Sequence, residues 1–350
     1  VGCADERSDF ATGLDVARKA FPVARSVGKC CPLRAAPVVA ASVMTTRVST
    51  HETRRRGRLR WDVDGLDWPH RASSRFVDVE GIRWHVQVMG QGPAILLVHG
   101  TGAASHSWRG MAPLLARQFT VVMPDLPGHG FTGPLPRADV SLPGFAHALA
   151  GLVRALALPP EVAVGHSAGA AVLARMCLDG AIAPRALVSL NGALLPPSGW
   201  AGLIFMPAAR LLALNPLVPY LFSWRAGDPR AVARLIDSTG STLDAEGAAL
   251  YARLIASPQH VAGTLAMMAR WDLRPLVADL PRLVPALTLV VGEADRTVAP
   301  REARLVQQRL GTARIVSLAG LGHLAHEEAP QRVAELVIDC ARRAKSLQVS

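Results

Sequence analysis

The chain has 350 residues, half of them apolar, and a formal charge of +11. That length suits one large domain with an insertion, or two domains. Residues 1–60 hold 12 Lys and Arg against 5 Asp and Glu, whereas the rest hold 26 against 22, so the folded part offers no basic face and nucleic-acid binding is excluded.

In chain order, residues 1–60 show no sustained periodicity and include the basic run TRRRGRLR. They read as a disordered extension or an over-long translation start, with Met44 as an internal start. The stretch AAPVVAASVM is too short for a secretory signal, and Asp5, Glu6, Asp9 and Asp15 argue against a transit peptide. Cys3, Cys30 and Cys31 lie in this tail, and Cys177 and Cys340 fall on expected helices without metal-ligand spacing. The expectation is a reduced, cytoplasmic protein.

From Trp61 the signals become regular. RFVDVE, Gly81 and IRWHVQVM predict a β-hairpin, and AILLVHG a strand buried on both faces. A helix over Trp108–Arg117 and the strand FTVVMPD follow. Next come a helix through FAHALAGLVRALAL, the strand VAVG, a helix from Ala170 to Leu178 and the strand ALVSLNG. After an interruption the alternation resumes with the strand ALTLVVG, the helix REARLVQQRL, the strand ARIVSLAG and a terminal helix from Gln331. Strands alternating with helices predict an α/β fold with a doubly wound, mostly parallel sheet.

The interruption, residues 197–275, shows no strand pattern and reads as a helical lid between two parts of the core, 61–196 and 276–345. Phe205, Tyr220, Phe222, Trp224, Met267 and Trp271 are its candidate substrate-binding residues. Pro207, Pro216, Pro219, Arg210 and Asn215 argue against a membrane span there, which leaves peripheral contact with a bilayer surface through the lid.

The chemistry is signalled by VAVGHSAGAAVLARMC, a strand, a sharp turn and a helix with G-x-S-x-G at the turn. Gly165 and Gly169 lack a Cβ, so strand end and helix start can crowd around a strained Ser167 and lift its hydroxyl above the sheet. Asp295, in the loop after ALTLVVG, is the candidate acid, and His323, after ARIVSLAG, the candidate base. The oxyanion hole is expected from the N–H groups of Thr101, in HGTGAAS, and Ala168. His326 and Asp125 are the rival base and acid, but His326 falls at the start of the terminal helix and Asp125 reads as stabilising the loop after its strand. Asn191 occupies an alternative acid position, but an amide cannot stabilise an imidazolium as a carboxylate does. His99 and His129 read as loop-packing residues. No metal site is expected from His99, His129 and His166, which lack ligand spacing. LLVHGTGAAS mimics a dinucleotide fingerprint, but Ser105 stands where the third glycine belongs. No cofactor is expected.

HGTG, DLPGHG, GHSAG, GEADRTVAP and GLGHLAHEEAP together resemble the α/β-hydrolases, from about Arg75 to the end. WDVDGLDWPHRASSRFV, HGTGAASHSWRGMAPLLA, GHSAGAAVLARM and SLNGALLPP are similar to the magnesium-chelatase accessory proteins of bacteriochlorophyll biosynthesis, over roughly residues 61–345. The resemblance implies a role near magnesium insertion into protoporphyrin IX in a phototrophic bacterium, with magnesium-chelatase subunits as partners and a small apolar or tetrapyrrole substrate. The chain is no chelatase motor: it has three lysines, and Lys29 in GKCC fits no phosphate-binding loop. Three functions follow as expectations. One is a serine hydrolase of esters or thioesters, the second a non-hydrolytic porphyrin-binding accessory protein with an inherited triad, and the third a general carboxylesterase unrelated to pigment.

Overall fold

The computed structural model describes residues 57–196, 215–225 and 228–346. The strands are β1 (Ser74–Val79), β2 (Ile82–Met89), β3 (Ala94–Val98), β4 (Thr120–Pro124), β5 (Val162–His166), β6 (Ala186–Leu190), β7 (Ala286–Gly292) and β8 (Arg314–Leu318). They form one sheet in the order β1-β2-β4-β3-β5-β6-β7-β8. β1–β2 and β2–β4 pair antiparallel, and every pair from β4–β3 to β7–β8 is parallel. The β1–β2 turn is Glu80-Gly81, both at positive φ, the combination that matches the twist of a tight hairpin.

Alternation along the central strands feeds two cores. Leu96, Val98, Ala163 and Leu187 pack on one face against the helices Leu142–Leu156 and Ala168–Leu178. Ile95, Leu97, Val164 and Val188 pack on the other against Trp108, Leu115 and the terminal helix Pro330–Ser346, through Val333 and Val337. Every residue of β3, β5 and β6 is buried, which explains their nearly unbroken apolar sequences. The helix expected over Trp108–Arg117 is shorter: a 3-10 turn, Ser105–Trp108, and one α turn, Ala112–Leu115. Gly110 separates the two, and Pro113 is tolerated only because it sits in the first turn.

Between β6 and β7 the described residues form helices Val218–Arg225, Pro229–Ser238, Ala245–Ile255, Pro258–Ala269 and Arg274–Asp279, with no strand among them. Their starts are written in sequence: Asp244 caps Gly247 N–H at 2.7 Å and Ser257 caps His260 N–H at 3.3 Å. Arg109 of the core joins this insertion by pairing with Asp244 at 3.0 Å, and it also pairs with Glu327, which accepts a 2.7 Å bond from Tyr251 Oη.

The β5-to-helix turn is strained at Ser167. Ser167 has φ 50° and ψ −119°, a region that costs an L-residue roughly 1–3 kcal/mol. A Cβ on Gly165 would overlap the backbone of Ala170, and one on Gly169 the carbonyl of Val98. Substitutions here are expected to act with opposite signs in urea denaturation. Gly169→Ala should destabilise by about 2–3 kcal/mol through overpacking, whereas Ser167→Gly should stabilise by about 1 kcal/mol by releasing strain. A stable Gly169→Ala would contradict the tight helix–strand contact.

Candidate active site

Each of the three side chains expected to react sits at the carboxyl end of a parallel strand, where such sheets place their sites. Ser167 follows β5, Asp295 follows β7 and His323 follows β8. His323 Nδ1–H donates to Asp295 Oδ2 at 2.8 Å, and both residues are buried. The other carboxylate oxygen, Oδ1, accepts the N–H groups of Thr297 at 2.7 Å and Val298 at 2.9 Å. Three donors on one carboxylate fix its plane.

The serine turn and the histidine loop are joined through His166, the residue before the serine. Its Nε2–H donates to the His323 carbonyl at 2.9 Å, and the two rings lie 4.7 Å apart. Ser167 is half-buried between buried neighbours. Its N–H bonds Leu190 O at 3.0 Å and its carbonyl accepts from Ala193 at 3.0 Å, so the strained backbone is held on both sides.

Ala168 is the first residue of its helix, so its N–H has no intrahelical acceptor. Thr101 lies in the loop after β3, and Gly100 beside it lets that loop approach the turn: a Cβ there would stand 2.9 Å from Ser167 Cβ and from His166 Nδ1. His99 orients this loop. Leu126 N–H donates to its Nε2 at 2.8 Å, so Nδ1 carries the proton and donates to Gly100 O at 2.8 Å. Asp125 organises the neighbouring loops instead of the base: it accepts from His85 Nδ1 at 2.8 Å, Ser105 N–H at 2.7 Å and Phe131 N–H at 3.0 Å.

Several bracing residues escaped the sequence. Asn191 is no acid; its Nδ2 donates to the carbonyls of Gly322 at 2.9 Å and His323 at 2.8 Å, while its Oδ1 accepts Gly292 N–H at 2.6 Å. It ties the end of β7 to the histidine loop. Glu328 accepts Gly322 N–H at 2.8 Å and Thr242 N–H at 3.0 Å, and Ser241 Oγ accepts Leu324 N–H at 2.8 Å. Thr239 O accepts from both Arg296 and His323, so the insertion grips both functional loops. His260, also in the insertion, accepts Gly130 N–H at 3.1 Å on Nδ1 and donates from Nε2 to Gly102 O at 3.1 Å. The bonds of Asn191 and His260 span 101 to 158 residues of chain, and no local motif announces them.

The expected substrate-binding residues divide. Met267 is buried, its sulfur accepting from Thr101 Oγ1 at 3.4 Å. Trp271 is half-buried and stands edge-on to Phe145 of the main core, 6.1 Å between centroids. Tyr220, Phe222 and Trp224 are exposed on Val218–Arg225, Trp224 to 67%. Phe205 lies outside the described residues. Among the described residues no group of three His, Cys, Asp or Glu is arranged to hold a metal ion.

Burial holds the histidines around the site neutral. His166 and His129 are kept well below the ordinary 6.5, His260 is lowered to about 4 and His326 to about 3. His326, the rival base, has no hydrogen-bond partner for either nitrogen among the described residues; its ring stacks on His166 at 4.4 Å and Trp108 at 4.7 Å. Unfolded imidazoles bind protons near 6.5 that folded His260 and His326 refuse until about 4 and about 3. The stability that neutral burial contributes is therefore present above about 6.5 and lost as pH falls through that window. Urea denaturation from pH 7 to 5 should show it. His326→Phe should flatten the slope by up to about 1.4 kcal/mol per pH unit, and an unchanged slope would count against a neutral buried His326.

Comparison with known proteins bears on this geometry. The alpha/beta hydrolase family model matches residues 95–336. The chain is 38% identical over 275 residues to the magnesium-chelatase 30 kDa subunit of Rhodobacter capsulatus, covering 78% of this chain and 96% of that one. It is 30% identical over 256 residues to pyrrolizixenacetamide deacetylase of Xenorhabdus hominickii, covering 69% and 88%. Among solved structures, an alpha/beta hydrolase fold protein from Burkholderia ambifaria matches with a TM-score of 0.64 at 26% identity, over 76% of this chain and 97% of that one. With its strand order, its serine turn and these relatives, the chain belongs to the alpha/beta hydrolase family and is similar within it to the magnesium-chelatase 30 kDa subunit.

Proposed function

We propose that the protein is a serine hydrolase acting on an ester or thioester of a bulky apolar acid or tetrapyrrole, as an accessory to magnesium insertion in bacteriochlorophyll synthesis. The observation that carries the hydrolytic half is the buried 2.8 Å bond from His323 Nδ1 to Asp295, in a loop that His166, the residue before the positive-φ Ser167, ties down at 2.9 Å. With Nδ1 engaged, Nε2 of His323 is the nitrogen left to take the Ser167 Oγ proton as Oγ attacks the substrate carbonyl carbon. The oxyanion is stabilised by the N–H groups of Thr101 and Ala168, each contributing about 10²–10³ in rate. His323 returns the proton to the leaving alkoxide or thiolate. It then deprotonates water, which adds to the acyl-serine and releases the acid as Ser167 regains its proton. Asp295 holds the imidazole tautomer and stabilises its charge.

The accessory half rests on the 38% identity to the magnesium-chelatase 30 kDa subunit, and it makes chelatase subunits the proposed partners. The same likeness favours a second reading, a non-hydrolytic protein that binds the porphyrin under the helical insertion, which then serves as a lid. The contact of Met267 with Thr101 supports that reading, with Met267 as a residue that would meet the substrate. No helix among the described residues is long and apolar enough to cross a membrane. The exposed Tyr220, Leu221, Phe222 and Trp224 favour shallow bilayer contact through Val218–Arg225.

A fluorophosphonate probe with mass-spectrometric location of the adduct separates the two readings. Labelling is expected at Ser167 alone, absent in Ser167→Ala, and slowed on the order of 10³–10⁴ in His323→Ala and Asp295→Asn. A folded protein that takes no label, even from a small probe, would remove the hydrolase reading and leave the porphyrin-binding one.

A further inference from the structure

At the antiparallel edge of the sheet, a cleft of about 270 Å³ lies between the entry segment around Trp61, the β1–β2 hairpin and the loop after β4. Its walls are aromatic. Trp61 stands edge-on to Phe76 at 5.7 Å and to Phe131 at 4.9 Å between centroids, and all three rings are half-buried. Behind them His85 contacts each ring and bonds Asp125 at 2.8 Å, so the walls are fixed to the core before any ligand arrives.

The rim is cationic. Arg58, Arg60 and Arg83 line it against a single acid, Asp62, which pairs with Arg60. Arg83 stands opposite Asp78 in the hairpin register, yet its guanidinium lies over the Phe76 ring, 4.7 Å from the centroid. Neither Arg58 nor Arg83 forms an ion pair among the described residues. A guanidinium stacked on a ring keeps its donors in one plane, the geometry that takes a carboxylate bidentately. Half-exposed rings beneath exposed guanidinium groups therefore match a flat apolar body with an acidic edge.

We propose that this cleft is a binding site for a planar aromatic acid, its ring system packing against Phe131 and the edges of Trp61 and Phe76, whose faces already carry the guanidinium groups of Arg71 and Arg83, and a carboxylate meeting Arg58 and Arg83. The site is separate from Ser167 and does not depend on the hydrolase reading. Carboxylated tetrapyrroles fall within this ligand class. The cleft also shares a support with the serine site: Gly130 and Gln259 line it, and His260, the next residue, bonds Gly130 N–H and Gly102 O beside Thr101.

Calorimetric titration of the full chain with 1-pyrenecarboxylate, and with its neutral amide as the charge control, tests the proposal. The acid is expected to bind saturably and the amide more weakly. Arg58→Ala/Arg83→Ala, shown by circular dichroism to be folded, should weaken the acid by roughly tenfold or more. Failure of the acid to bind would overturn the site. Equal affinity for the amide would overturn recognition of the acid, and undiminished binding by the double variant would place the ligand elsewhere in the molecule. None of these outcomes bears on labelling at Ser167, so the two proposals fail independently.

Discussion

The left-handed backbone at Ser167 constrains everything around it. Its N–H and carbonyl are both tied into the β6 side of the sheet, through Leu190 and Ala193. The helix behind it is pressed onto the end of β3 at Gly169, and the strand before it onto the helix at Gly165. The residue cannot relax without separating a helix from a sheet. The strain is sustained by packing elsewhere, and it sets the serine at the carboxyl end of the strands.

Around that point the structure spends its buried polar groups on orientation. Asn191 reaches from the end of β6 to both the β7 end and the histidine loop. Thr239 to Thr242 come from the insertion and fasten the same two loops. His99 and His260 each hold a carbonyl of the loop that carries Thr101. Because burial keeps these histidines neutral, they act as fixed donors and acceptors and add no charge near Ser167. Groups fixed in advance in a dry setting do not have to reorganise when charge develops nearby, which is where preorganised dipoles act most strongly. The insertion is thus part of the framework of the site.

Much of this was legible in the sequence, for identifiable reasons. Strands such as AILLV and ALVSL announce themselves because burial on both faces removes polar residues, and the serine turn does so because two glycines must flank it. Asp295 and His323 stand out as candidates because each follows a strand whose carboxyl end is fixed by the fold, and the structure pairs them at 2.8 Å. The aromatic residues of the insertion were less so. Tyr220, Phe222 and Trp224 look like pocket residues by composition, yet they lie exposed on a helix whose buried positions are Val218, Pro219 and Ser223. Hydrophobicity states a preference for burial but not which side of a helix finds a partner.

The order of elements, the parallel sheet and the serine turn can all be read along the chain, and so can the candidates for acid and base. Those properties are encoded locally, in periodicity and in glycine placement. What needed the folded molecule is which groups Asn191 braces, which N–H groups Asp125 accepts, and that His260 supports the Thr101 loop from across the chain. The same holds for the cleft, where Arg58, Phe76, Phe131 and Gln259 meet. A side chain's role as donor, acceptor or wall depends on which distant groups burial brings within about 3 Å, and spacing along the chain carries no record of that distance.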